Sequence, residues 1–258
     1  MTPSEPPAFD LNNFVIHHLM NTSIWHPSFL PEISLPKPLT VHSLMLLFCA
    51  VLLIFIFRVF YKRDQKIPTG ATNALEAVVL FIRDDIAIAN LGQEDGRKFT
   101  PLLCTYFFFI LLMNLIGSIP FFASPTANIN VTFALAIISL GFMTIGAIAR
   151  NGLKGFLNAF VIRGLAWPVQ CFVFLLEILG LFIKTTALTI RLFANMLAGH
   201  MVILIFLGLV ALFGMMAMPA VILAILISLL EIFVAFLQAY IFTMLSAVFM
   251  GQIYHPSH

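Results

Sequence analysis

The sequence predicts an all-α, polytopic membrane protein. Hydrophobic residues make up 61% of the 258-residue chain and charged residues 9%, where a soluble domain carries about a quarter charged residues. Apolar runs long enough to cross a bilayer recur along the chain, since a span takes roughly 20 residues. The charges collect in the connections between those runs rather than being spread through them. The three cysteines, Cys49, Cys104 and Cys171, lie in apolar runs without paired spacing. They read as buried free thiols, with neither a disulfide framework nor a metal site indicated.

Residues 1–38 hold seven prolines and read as an irregular, partly extended tail. With no basic leader and no apolar core, the N-terminus does not look like a signal peptide. The first transmembrane helix is expected over 41–61, closed by Arg58, Lys62, Arg63 and Lys66. In NALEAVVLFIRDDIAIAN, residues 73–90, apolar residues at helical spacing are interrupted by Glu76, Arg83, Asp84 and Asp85. That segment is too charged to span and reads as an amphipathic helix at the membrane surface, the alternative being a loop helix in solvent.

Residues 99–149 contain no Asp, Glu, Lys or Arg. At about 1.5 Å per residue this is too long for one crossing, and Pro120 and Pro125 in IPFFASPTAN divide it into a transmembrane hairpin. A very long apolar helix is then expected over about 156–213, with Gly164, Pro168 and Gly180 as candidate kinks. GMMAMP makes the next turn, and a second overlong helix follows over 221–254. Helices of this length must tilt, kink or lie partly along the bilayer. The domain reading is a tail over 1–38, a membrane domain over 39–254 and a short tail over 255–258.

Of the 13 Lys and Arg residues, Arg58, Lys62, Arg63, Lys66, Arg83, Arg97, Lys98, Arg150, Lys154 and Arg163 fall on connections that this topology puts on one side. The positive-inside rule makes that side cytoplasmic. The N-terminal tail and the turns at 120–128 and 212–219 are then outside, and the C-terminus is inside.

The polar residues of the last two helices carry the functional signal. Arg191 is followed by 39 residues, 192–230, without another charged side chain. An ionisable group inside a span costs several kcal/mol and faces a partner, a cavity or an ion path. An arginine cannot escape by losing its proton. Seven helical residues turn about 700°, so Glu177, Lys184 and Arg191 form one stripe, and Asn195 extends it. His200 lies about 180° around from Arg191. On the last helix Glu231 and Gln238 are also seven apart, with Gln252 near their stripe. The orientation puts Glu177 on the cytoplasmic side, Arg191 and Gln238 near mid-depth, and His200 and Glu231 towards the outside. Two proton half-paths separated by a fixed charge would have that layout. The plainer readings are a snorkelling Lys184, a Glu177–Lys184 ion pair and a hydrogen-bonded core His200. His17, His18, His26, His42, His255 and His258 suggest no site, and nothing resembles a nucleotide loop, a nucleophile with its base or a nucleic-acid patch.

TIRLFANMLAGH, followed by LLEIFVAFLQAYIFTMLSAVF, resembles the two signature helices of subunit a of F-type ATP synthases. FFFILLMNLIGSIP resembles that family's third helix, and the likeness covers about residues 40–254. It implies that Arg191 is the essential arginine facing the carboxylate of each subunit c. Asn195 and Gln238 would be its polar neighbours, Glu177 part of the cytoplasmic half-channel, and His200 with Glu231 part of the outer one. Gly117 and Ser118 stand where some members carry an acidic residue, so the outer path would rely more on Asn114, His200 and Glu231. The resemblance further implies a non-catalytic stator subunit without a cofactor, partnered by the c-ring, subunit b, the F1 sector indirectly, and lipid. A bacterial inner membrane, with the N-terminus periplasmic, fits the tail better than an organelle. The competing class is a secondary transporter or stand-alone channel, against which stand the absence of repeats and the single unpaired arginine. The sequence leaves H+ or Na+ as coupling ion open.

Overall fold

A computed structural model describes residues 24–25, 33–34, 40–60, 70–119, 124–158, 160 and 166–254. The basic cluster Lys62, Arg63 and Lys66, and also Pro120, Arg163, Gly164, nearly all of the 1–38 tail and the 255–258 tail, lie outside these residues. Within the tail, β1 (Ile24–Trp25) and β2 (Ile33–Ser34) pair antiparallel. All other regular structure described is helical.

Helix α1, Val41–Phe60, is close to the expected span. Thr40 caps it: Ser43 N–H donates to Thr40 Oγ1 at 3.4 Å, which satisfies one of the open donors of the first turn. Helix α2, Ala71–Phe81, continues through a π-helical run, Ile82–Ile88, into α3, Ala89–Gly117. The run buries Ile82, Ile86 and Ala87 and leaves Asp84 and Asp85 exposed, as an amphipathic surface segment should. Arg83 donates to both oxygens of Asp84, at 2.8 and 2.9 Å. The bend from this segment into the span is at Gly92, whose φ of 78° suits a residue without a side chain.

Helix α4, Ile129–Asn158, follows a short 3-10 turn, Pro125–Ala127, that starts on proline. It breaks at Gly152, φ 69°, and its last turn takes in residues 156–158, which the sequence had suggested as the start of the long helix. The long helix α5 instead begins at Trp167 and runs to Phe213, 47 residues. Pro168 sits in its first turn, where a missing N–H costs nothing, so it starts the helix and does not kink it. The helix passes Gly180 without a break, and at 1.5 Å per residue it is about 70 Å long. Gly214, φ 55°, and a 3-10 turn, Gly214–Ala217, reverse the chain into α6, Met218–Tyr254.

Among the described residues, four stretches are long and apolar enough to cross a membrane: Val41–Val59, Thr72–Gly117, Ile129–Ala149 and Trp167–Tyr254, the last containing both α5 and α6. The core forms where α3 meets α6. Leu103, Phe107, Ile110 and Met113 of α3 are buried with Ala239, Phe242, Ala247 and Met250 of α6. Ala235, Ala239, Thr243, Ala247 and Gly251, each four residues apart, form a buried stripe of small side chains on α6. Such a stripe lets backbones approach, and in lipid that packing replaces the hydrophobic effect as the force between helices. Tyr106 and Phe107 of α3 pack edge-on against Phe242 and Phe236, centroids 5.6 and 5.5 Å apart. Along α5, by contrast, Phe172, Leu176, Phe182, Ile183 and Ile190 stand exposed. Of the cysteines, Cys49 is buried and Cys104 half-buried, but Cys171 is exposed. The expectation of three buried thiols fails there because Cys171 lies on the outward face of the first turns of α5 beside the exposed Phe172, while Phe174 packs on the core.

Candidate functional site

The α5–α6 hairpin is the frame of the site. With its turn at 214–217, residues of α5 and α6 at matching distances from the turn face each other, and three contacts report that register. Nearest the turn, a Cβ built on Gly199 would lie 3.1 Å from Glu231 Oε1. One turn further along α5 and two along α6, Asn195 Nδ2 donates to Gln238 Oε1 at 3.1 Å. At the far end, Lys184 Nζ donates to Gln252 Oε1 at 3.1 Å and lies 4.9 Å from the centroid of the Phe249 ring.

Arg191 is exposed, and it has no ion pair or hydrogen bond with any described residue. His200 is buried at 3% exposure, on the opposite side of α5 from the arginine, as its spacing predicts. Glu231, 4% exposed, has both carboxylate oxygens buried without a hydrogen bond among the described residues. Its close neighbour Gly199 precedes His200, so the structure brings Glu231 and the His200 segment together. Gln238 is buried, its oxygen taken by Asn195 and its Nε2 without a partner among the described residues. Glu177 is exposed on α5 and makes no hydrogen bond or ion pair with the other candidates among the described residues. The ion pair considered for it with Lys184 does not form, because α6 supplies Gln252 instead.

Asn114 completes the group from α3. Its side chain is fully buried, its Nδ2 donates to the Ala235 carbonyl of α6 at 3.4 Å, and its Oδ1 accepts from Thr126 Oγ1 at 2.8 Å. Ser124 Oγ lies 3.2 Å from Thr126 Oγ1. Ser124 and Thr126 were not among the residues expected from sequence. A Ser-Pro-Thr turn between two apolar runs resembles any solvated turn, and no local pattern marks its burial. A side chain at Gly117 would collide with Ser124. A second buried polar contact, Ser139 Oγ to Ser246 Oγ at 3.0 Å, ties α4 to α6 and was equally unforeseen.

A family model described as ATP synthase A chain matches residues 43–251. The ATP synthase subunit a of Myxococcus xanthus is 45% identical over 228 residues, 85% of this chain and 74% of that relative. The subunit a of Anaeromyxobacter dehalogenans is 45% identical over 217 residues, 82% of this chain but 57% of the relative. A protein named ATP synthase subunit a 2 from Prosthecochloris aestuarii is 41% identical over 253 residues, 92% of this chain and 78% of the relative.

Proposed function

The chain belongs to the ATP synthase A chain family, and from that membership we propose that it is the proton-conducting stator subunit of the synthase's membrane sector. In this reading a proton enters from the outer side past Asn114, His200 and Glu231. It neutralises a carboxylate on a ring of small subunits turning against α5, and the neutral carboxylate passes into lipid. After a turn of the ring the proton leaves by the inner path at Glu177. Arg191 stands between the two paths. Its charge favours the ionised carboxylate and blocks direct leakage of protons from one path to the other. One charge crossing the membrane potential releases about 2.3 kcal/mol per 100 mV, which drives rotation, while ATP chemistry takes place on other subunits. Subunit b and the F1 sector complete the assembly, in a bacterial inner membrane with the N-terminus periplasmic.

The observation that carries the proposal is the exposed Arg191 with no counter-charge among the described residues. Held in an apolar helix, it fits an acidic partner on another chain better than a pore of its own. The exposed apolar residues around it, Ile183 and Ile190 among them, support a protein or lipid face on that side of α5. The test is Arg191→Ala in membrane vesicles, with ATP-driven proton pumping as the readout. Pumping should be lost, and Arg191→Lys should restore little of it, since an ammonium is more strongly hydrated and can deprotonate. Pumping at the wild-type rate in Arg191→Ala would sink the proposal.

A further inference from the structure

The hydrogen bonds around Asn114 run in one direction. Thr126 spends its hydroxyl proton on Asn114 Oδ1, so in the 3.2 Å contact with Ser124 the serine must donate. The order is therefore Ser124 to Thr126 to the carboxamide oxygen, and then from the carboxamide nitrogen to the Ala235 carbonyl. The Asn114 side chain cannot be turned over. Rotated by 180°, its oxygen would face the Ala235 oxygen, acceptor against acceptor. Thr126 is fully buried and Ser124 is 3% exposed, so water does not compete for these bonds from the turn side. Gly117 leaves the room that Ser124 occupies.

The place where this network meets α6 matters. Ala235 is one turn from Glu231 and just under one turn from Gln238. Glu231 Oε1 and Oε2 and Gln238 Nε2 are buried polar atoms that take no hydrogen bond among the described residues. Buried groups of that kind are costly unless something completes them. Asn114 is thus held at the depth between the two residues of α6 that have hydrogen-bonding capacity to spare.

We propose that Thr126 is a positioning residue for the outer proton path, holding the Asn114 carboxamide with its N–H edge turned to α6 between Glu231 and Gln238. The inference rests on the stator reading and deepens it. Asn114 then offers a fixed donor at that depth and keeps its oxygen turned away, so the hydrogen bonds along this part of the path have a defined direction. Ser124 acts one step further out, by leaving Thr126 a donor and not an acceptor towards Asn114.

The experiment measures passive proton flux at fixed potential through the membrane sector in vesicles stripped of F1, with the amount of assembled subunit determined in each preparation. Thr126→Val keeps the shape and removes the hydroxyl, and should lower the flux about tenfold, the scale of one buried hydrogen bond. Thr126→Ser restores the hydroxyl and should stay within about twofold of wild type. In an Asn114→Ala background Thr126→Val should cost nothing further, because the threonine acts through the asparagine. Thr126→Ala replaces the valine variant if the latter does not assemble. Wild-type flux in Thr126→Val, a serine variant as slow as the valine one, or a full additional loss on the Asn114→Ala background would each overturn the proposal. Arg191→Ala, assayed for ATP-driven pumping in vesicles that retain F1, separates the two levels. Pumping that survives it removes the stator reading altogether, while pumping lost there with normal flux in Thr126→Val removes only the role of Thr126.

Discussion

Gly199→Ala tests whether the carboxylate of Glu231 has the position that proton transfer needs. The added methyl carbon would lie 3.1 Å from Glu231 Oε1, 3.2 Å from Cδ and 3.4 Å from Cγ. Carbon atoms sit comfortably at about 3.5–4.0 Å, so the carboxyl group must retreat by a few tenths of an ångström. The backbone gains from the change, because alanine is favoured over glycine within a helix by about 0.5–1 kcal/mol. A small overpacking cost at a side chain with three rotatable bonds offsets that gain. Assembly should therefore change by less than about 1 kcal/mol in either direction.

Transport should not be spared in the same way. A displacement of 1 Å at a reacting group costs up to about a hundredfold in rate, so a few tenths should cost roughly threefold to tenfold. The assay is passive proton flux in stripped vesicles, normalised to assembled subunit. Glu231→Asp supplies the control, since its shorter side chain draws the carboxyl group away from the new methyl. Gly199→Ala should then add little to the loss that Glu231→Asp causes by itself. Equal flux in Gly199→Ala and wild type, or a full further loss in the Glu231→Asp background, would refute the reasoning.

Two other predictions concern the frame. Asn195→Ala removes the donor to the buried oxygen of Gln238 and should lower the thermal stability of the detergent-extracted sector by about 1 kcal/mol. The same change in a Gln238→Leu background should cost less than about half of that, and equal costs in the two backgrounds would contradict the pairing. Gly96→Ala would set a methyl 2.7 Å from Ile88 Cα and 2.8 Å from Ile88 N, backbone atoms that cannot swing aside. Overpacking of about 1–3 kcal/mol outweighs a helix gain of up to about 1 kcal/mol. Assembled subunit should fall on raising the growth temperature, and a normal yield would show that the surface segment is not folded back so closely.

The spans were legible because charge-free runs and the residues that break them are local signals. The depth matching across α5 and α6 was legible as well. Once GMMAMP is taken as the turn, distance from it nearly fixes which residues face each other, so Glu231 meets the His200 segment and Gln238 meets Asn195. The start of α5 was not legible, because LKGFLN has helical apolar spacing and could belong to the helix on either side of it. Nor could periodicity tell whether Pro168 kinks a helix or opens one. The partner of Lys184 stands 68 residues away, and no local pattern reaches that far. Thr126 was missed for a different reason: what separates it from an ordinary turn threonine is burial, which only packing against Asn114 provides.

Lys184 and Arg191 share one face of α5, and the fold treats the two cations differently. A charge within a span costs about 2.5–3.5 kcal/mol even by the lower scales, and α6 meets part of that cost for Lys184 with the Gln252 oxygen and the Phe249 ring. The means to do the same for Arg191 are close by. Asn195 is one turn along its own face, and Gln238 lies opposite Asn195 on α6. Those two amides are instead bonded to each other, Asn195 donating to the oxygen of Gln238. Arg191 is left with five N–H donors and a planar fork suited to a carboxylate. An amide pair bonded to each other beside an arginine keeps the guanidinium available, and in the proposed reading that availability lets a carboxylate on another chain bind it and then leave.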